Sequence, residues 1–344
     1  MSLDRTLQRV WYERAPLALF LLLTPLSCLF AVIAAARRFA YRIGVLRAER
    51  VACPVLVVGN VSVGGTGKTP LVIWIAERLA ASGRTVGIVT RGYGGRGTQW
   101  PKEVVANTAA DEVGDEAVLL ALRTGAVVVA GPDRVAAARR AIALGANVIV
   151  SDDGLQHYRL ARDAEIVVID ARRGFGNRWL LPAGPLREPV SRLGRADIVV
   201  ESVRSRTPTR TQADSIVAEH SLLAAVNLRT GERRPLADFA GARVHAIAGI
   251  GHPEAFFAML RGYGLDLDAR ALADHAQLEA ADVTFADEAP VLMTEKDAVK
   301  CRAFASERHW AVPLTVRFSD SDERRLAAVL NELVASRATL HVHE

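Results

Sequence analysis

Lysine is nearly missing from this sequence. Of 43 basic residues in a chain of 344, only Lys68, Lys102, Lys296 and Lys300 are lysines, and arginine carries the rest of a formal charge of +5. A chain that avoids lysine so strongly, yet places one directly after Gly67, makes chance a poor explanation for that position. Cysteine is scarce too. Cys28, Cys53 and Cys301 lie far apart and no CxxC occurs, so neither a zinc site nor a disulfide framework is indicated, which fits a reducing cytosol. No internal repeat or low-complexity tract stands out. No N-K-x-D follows the first half of the chain; Glu295-Lys296-Asp297 is a partial echo in the wrong place, which argues against a guanine-specific switch. The arginine excess has two readings, compositional drift or attraction to anionic lipid and nucleotide.

What is there begins with a long apolar run. Residues 15–36, "APLALFLLLTPLSCLFAVIAAA", carry no charge. As a helix of about 33 Å they would cross a hydrocarbon core, although Pro25 is expected to kink or interrupt it. Arg37, Arg38, Arg42, Arg47 and Arg50 follow the run more densely than Arg5, Arg9 and Arg14 precede it, which puts the downstream part in the cytoplasm. Trp11, Tyr12, Phe39 and Tyr41 flank it, as aromatic residues do at headgroup depth. The competing readings are a membrane anchor, spanning or lying flat, a buried core helix, and a cleaved signal peptide.

After residue 50 short valine- and isoleucine-rich runs alternate with helical stretches. Strands are expected at Val55–Val58, Val86–Thr90, Ala126–Ala130, Val148–Val150, Ile166–Ile169 and Ile198–Val200. Helices are expected at Pro70–Ser82, Asp115–Thr124 and Asp133–Leu144. This alternation predicts an α/β fold with a doubly wound, mostly parallel sheet and ligands at the carboxyl ends of its strands. A polar stretch, Arg204–Gln212, and then two extended arms about Thr230-Gly231 mark a change near residue 222. A second βα run starts at Val244–Ala248 and continues through Pro253–Gly262, Val291–Thr294, Leu314–Phe318 and Asp322–Ser336. The expected organisation is a membrane-associated helix (1–40), a nucleotide-binding domain (41–221) and a smaller α/β domain (222–344) joined by the hairpin as a hinge.

"GNVSVGGTGKTP", Gly59 to Pro70, carries the chemistry. It follows a strand and opens a helix, the context in which G-x-x-x-x-G-K-[ST] binds phosphate. Ser62 stands where that pattern has its first glycine, but Gly64, Gly65 and Gly67 supply flexibility where backbone amides converge on phosphate oxygens. Gly64, Gly65, Thr66, Gly67, Lys68 and Thr69 are therefore expected to hold nucleotide. Lys68 would reach the β- and γ-phosphates, and the Thr69 hydroxyl would bind Mg²⁺. A strand running into Asp152 and Asp153 ("NVIVSDDGLQH") supplies the acidic pair such a loop needs; one carboxylate would hold the metal shell, and the other would bind metal or orient water. The alternative for the pair is a solvated turn.

With both motifs in place the chain resembles the tetraacyldisaccharide 4'-kinase family of membrane-associated P-loop kinases. "TRGYGG" (Thr90–Gly95), "VGDEA" (Val113–Ala117), "SDDGLQH", "EIVVID" (Glu165–Asp170), "LLPAGPLRE" (Leu180–Glu188), "AGIGHP" (Ala248–Pro253) and "TEKDAVK" (Thr294–Lys300) occur in the family's order, over roughly residues 10 to 330. The resemblance implies transfer of the ATP γ-phosphate to the 4'-hydroxyl of a lipid A disaccharide 1-phosphate. It implies Asp115 as base and His275 as its partner. It also implies Asp152 and Asp153 as metal carboxylates, and Arg134, Arg187 and Glu188 as active-site charges. Around His275 this chain reads "LADHAQL" where many members have F-P-D-H-H. On the residues alone, Asp115 is equally a helix cap, His275 a surface residue, and each arginine a common charge. ATP, Mg²⁺, the lipid substrate and anionic inner-membrane lipids at the cytoplasmic face are the implied partners, with no nucleic acid and no obligate protein partner. The alternative function is a P-loop ATPase or GTPase switch acting on a protein.

Overall fold

The computed structural model describes residues 3–13, 17–204, 212, 214–274 and 276–338, and opens with helices α1 (Leu3–Tyr12) and α2 (Leu17–Arg42). The helix α2 is 26 residues long with a mean hydropathy of 2.5 over its apolar window, of which 6% is buried. It is therefore not a core helix: Leu22, Leu29 and Val32 are 71%, 58% and 66% exposed. Pro25 does not interrupt it. In the turn that Pro25 crowds, the Thr24 hydroxyl donates to the Phe20 carbonyl at 2.9 Å, the kind of side-chain bond that lets apolar helices tolerate proline.

A regular βα alternation follows: β1 (Val55–Gly59), α3 (Lys68–Ala81), β2 (Val86–Thr90), β3 (Lys102–Val104), α4 (Ala110–Val113), α5 (Asp115–Thr124), β4 (Val127–Ala130), α6 (Arg134–Ala143), β5 (Val148–Asp152), β6 (Ala164–Asp170), β7 (Ile198–Val203) and β8 (Ile216–Leu222). The chain then builds β9 (Ala224–Asn227), β10 (Arg233–Pro235), β11 (Arg243–Ala248), α7 (Pro253–Arg261), β12 (Asp266–Ala271), α8 (Ala280–Val283), β13 (Val291–Thr294), α9 (Glu295–Cys301) and β14 (His309–Val312). It ends with β15 (Leu314–Arg317) and α10 (Asp320–Ala338).

The first sheet has the order β15-β8-β7-β6-β1-β5-β2-β4-β3, parallel except for its two edge strands. Its inner strands are buried on both faces, which is why they are written as unbroken valine and isoleucine runs. Leu56, Ile75, Ile88 and Leu120 fill one face and Val57, Val129 and Ile149 the other. The second sheet, β10-β9-β14-β13-β11-β12, packs Phe239, Phe257 and Trp310 beneath it.

Two features differ from the sequence expectation. The final segment does not belong to the second sheet: β15 pairs with β8, and Leu326, Leu330 and Leu333 of α10 join the core of the first. The chain thus passes between the two sheets twice, after β8 and again after β14. The two arms expected as a hairpin are β9 and β10, but they are part of the second sheet, with β10 at its edge and β9 paired between β10 and β14. Amphipathic pattern located these elements; which sheet they join depends on distant pairing that local sequence does not state.

Candidate active site

The strand β1 ends at Gly59, the loop turns, and α3 starts at Lys68. Gly67 caps α3 at φ +82°, in the left-handed region. A Cβ there would lie 2.4 Å from Ser202 Oγ and 2.5 Å from His220 Cε1, so only glycine fits. Beneath it Ser202 and His220 are hydrogen-bonded at 3.1 Å, and burial, with Arg204 nearby, pushes the His220 imidazole down to about 3. The loop therefore rests on a neutral histidine. Gly64 and Gly65 are exposed, Thr66 is buried with a hydroxyl that has no hydrogen-bond partner among the described residues, and Thr69 is half-buried.

Lys68 Nζ lies 3.1 Å from Asn60 Oδ1 and 3.3 Å from Asp153 Oδ1. The Asn60 side chain is fixed in turn by donating to the Ser62 carbonyl at 2.6 Å. Register pairs Val58 of β1 with Asp152 of β5, and this adjacency brings the acidic pair to the loop. Asp153 has φ +49°, unusual for a residue with a side chain, and Arg187 Nη1 donates to its Oδ2 at 3.0 Å. Burial opposes the charge on Asp153, but Lys68 and Arg187 outweigh it and hold this carboxyl well below the usual range. Asp152 is the opposite case. Burial, then the charge of Glu116, drives its carboxyl upward, and its Oδ1 has no hydrogen-bond partner among the described residues.

This orphaned oxygen tests the metal expectation. Asp152 and the Thr69 hydroxyl offer hard oxygen donors beside a phosphate loop, and Mg²⁺ in such sites is held by one or two carboxylates with phosphate and water completing its shell. The residues fit. Asp153 is already engaged by Lys68 and Arg187, whereas Asp152 Oδ1 has no hydrogen-bond partner among the described residues.

Arg134 is the first residue of α6, buried, and aimed inward because Asp133 caps the helix by accepting from the amides of Val135 and Ala136. Its guanidinium donates to the carbonyls of Gly131 (2.7 Å) and Asp152 (3.2 Å), and burial lowers it to about 10. Arg134 thus holds the backbone of the acidic turn. Glu188, 2% exposed, accepts from Gln156 Nε2 at 3.0 Å and from Tyr158 Oη, and lies 3.4 Å from Arg192 Nε. Gln156 also accepts from Arg187 at 3.3 Å, so Glu188 supports Arg187 at one remove. "LLPAGPLRE" is the link to α2: Ser27 Oγ donates to the Leu180 carbonyl at 2.5 Å and accepts from the Ala183 amide at 3.0 Å. The same segment bonds the loop through Val63 N to the Pro185 carbonyl (2.8 Å) and Arg187 N to the Val61 carbonyl (2.7 Å).

Asp115 opens α5 and is 5% exposed. Gly114 before it, at φ +87°, presses on the Tyr93 carbonyl, where a Cβ would come within 2.1 Å; this joins "TRGYGG" to "GDE". Lys300 Nζ of α9 lies 3.5 Å from Asp115 Oδ2. Two further ion pairs, Glu116–Lys296 and Arg123–Glu295, tie the same helices together. His275, expected beside Asp115, lies outside the described residues. Its neighbour Asp274 is exposed, with Oδ2 3.3 Å from the position a Gly251 Cβ would take.

Sequence reasoning missed Asn60, Gln156, Ser202, His220, Arg204 and Lys300. Arg204 donates to the Gly65 carbonyl at 3.1 Å, and with Arg173 it makes a basic wall beside the loop that also depresses His252, after burial. The signals for Lys300 were its place at the end of "TEKDAVK" and its rarity: three of the four lysines are at this site.

The family model for tetraacyldisaccharide-1-P 4'-kinase (LpxK) matches residues 19–335. The "Tetraacyldisaccharide 4'-kinase" of Alkalilimnicola ehrlichii is 48% identical, covering 94% of this chain and 96% of the relative. That of Nitrosococcus oceani is 44% identical and covers 96% of each. Among solved structures, LpxK from Aquifex aeolicus in complex with ATP superposes with a TM-score of 0.79 at 28% identity, over 91% of this chain and 99% of that one. With a phosphate loop, an acidic pair at the adjoining strand and this match along nearly its whole length, the chain belongs to the tetraacyldisaccharide-1-P 4'-kinase family.

Proposed function

We propose that this kinase transfers the γ-phosphate of ATP to the 4'-hydroxyl of tetraacyldisaccharide 1-phosphate, giving lipid IVA, at the cytoplasmic face of the inner membrane. The single observation that carries the reading is Lys68 at the mouth of the loop, in contact with Asp153 and Asn60. A triphosphate entering there would exchange those contacts for phosphate oxygens. Backbone amides of Gly64–Thr69 would hold the β-phosphate, and Arg187, balanced on Asp153, would meet the transferring group. Thr69 and Asp152 would hold Mg²⁺, which when bound neutralises phosphoryl charge. Asp115 would accept the hydroxyl proton late in a loose transition state, where alignment and charge neutralisation supply most of the catalysis. His275 is kept as its proposed partner on the family resemblance.

The exposed apolar helix supports the membrane assignment. A tetraacyl lipid does not leave a bilayer cheaply, and α2 is joined to the phosphate loop through 180–187. Arg37, Arg38 and Arg42 in its C-terminal turns, and Arg47 and Arg50 after it, lie on the side where anionic headgroups would sit. The test is purified protein with radiolabelled ATP and lipid A disaccharide 1-phosphate in mixed micelles. Label in the lipid is expected; label released only as free phosphate would favour an ATPase instead.

A further inference from the structure

We propose that Lys300 is a positioning residue for the base, reaching from the second sheet's side of the molecule to hold the Asp115 carboxylate. The inference rests on the reading of Asp115 as base. Three observations carry it. First, Lys300 Nζ is 3.5 Å from Asp115 Oδ2 and 3.7 Å from Asp297 Oδ1, with a side chain only 12% exposed. It makes no hydrogen bond of good geometry to the described residues, so the ammonium is buried between two carboxylates and free to lean to either. Second, Asp297 is anchored independently: it accepts from the Thr294 hydroxyl at 2.6 Å and the Gly249 amide at 2.9 Å. The far side of the lysine is thus a fixed post, and Asp115, itself 5% exposed, is the side without those anchors to Thr294 and Gly249. Third, a chain that writes arginine nearly everywhere keeps lysine here. An ammonium is a compact point charge with rotatable donors, suited to a carboxylate that must change partners during a reaction; a guanidinium would lock it in a bidentate fork.

The charged groups facing Asp115 include Lys300, Lys296 and Asp297 from α9 and Glu116 from its own helix, with Asp274 near Lys296. Lys296 is engaged by Glu116, and Lys300 is the α9 ammonium in contact with the Asp115 carboxylate. In the reaction Asp115 takes the 4'-hydroxyl proton as the new O–P bond forms and the β–γ bridging P–O bond of ATP breaks, with ADP leaving. Lys300 keeps the carboxylate ionised and aimed before transfer, and the contact exists only while α9 is docked on α5.

The test is steady-state kinetics against pH on the full-length enzyme. In Lys300→Met, kcat is expected to fall about tenfold to a hundredfold with the KM for ATP within about threefold. The acid limb of kcat/KM should move to higher pH by about one unit, because a neighbouring cation favours the ionised carboxylate. Lys300→Arg should recover part of kcat and most of the limb. Arg123→Leu is the control: it breaks another α5–α9 ion pair at the opposite end of α5. An unmoved limb in Lys300→Met, or an equal shift in Arg123→Leu, overturns the proposal. Should Lys300→Met not fold, Lys300→Arg decides, since a wild-type kcat and pH profile from a fork that cannot follow the carboxylate also overturns it. Asp115→Asn separates the two levels: retained transfer in that variant removes the base assignment itself, whereas an inactive Asp115→Asn beside an unaffected Lys300→Met removes only the role of Lys300.

Discussion

Lys68 Nζ sits 3.3 Å from Asp153 Oδ1, and Arg187 Nη1 grips the other oxygen of the same carboxylate at 3.0 Å. Two cations on one anion leave a net positive charge at the loop. Lys68→Met should therefore lower transfer by at least about a hundredfold, in the range that loss of one stabilising donor costs. Its effect on the ligand-free protein should be small, because Arg187 still neutralises Asp153. The check is a thermal-shift series: ATP at about 100 times its Kd stabilises the wild type by about 2.7 kcal/mol, and the variant should show a much smaller rise.

Asp152 behaves oppositely. Burial and Glu116 raise its folded-state pKa against the pull of Lys68 and Arg134, so above that value the folded protein carries a buried charge, and stability falls as pH rises through it. Asp152→Asn should raise the ligand-free Tm at pH 8.5 and change little at pH 4.5, where the native carboxyl is already neutral. Transfer should nevertheless be lost, because the amide is a poor ligand for Mg²⁺. Calorimetry at the two pH values gives the first result and the kinase assay the second.

His220 gives a third titration. Its folded pKa is depressed to about 3, so between that value and about 6.5 the unfolded chain binds a proton that the folded one does not. Stability lost to this group grows as pH falls through that window, by up to about 1.4 kcal/mol per unit. His220→Asn should flatten the acid side of the stability profile measured by urea unfolding and, by loosening the seat under Gly67, raise the KM for ATP.

Much of the fold was legible where one element answers to one local rule. The helix at Asp115–Thr124 and the strand at Val86–Thr90 were expected within the same bounds that they adopt. The strand β8, "IVAEHSL", was missed because Glu219, His220 and Ser221 break its apolar run; His220 is buried for the sake of the loop it supports. The strand β14 was missed for a similar reason, since His309 is buried but bonded to the Val283 carbonyl at 3.0 Å. In the site, Lys68 and Asp152 each follow a strand and announce themselves. Asn60, Gln156 and Lys300 lie in motifs that the sequence displays, but they act through partners 8 to 185 positions away, and nothing local assigns them those roles. The return of β15 to the first sheet is invisible for the same reason.

The decisive measurement pairs ATP affinity with phosphoryl transfer in Asp115→Asn. Asp115 lies at the start of α5, at the contact with α9, and not in the phosphate loop. Isothermal titration should give an ATP Kd within about threefold of wild type while transfer to the lipid falls by about a hundredfold to ten-thousandfold, the range for a lost general base. Wild-type transfer, or loss of ATP binding in step with activity, would contradict a nucleotide site at Lys68 facing a base at Asp115.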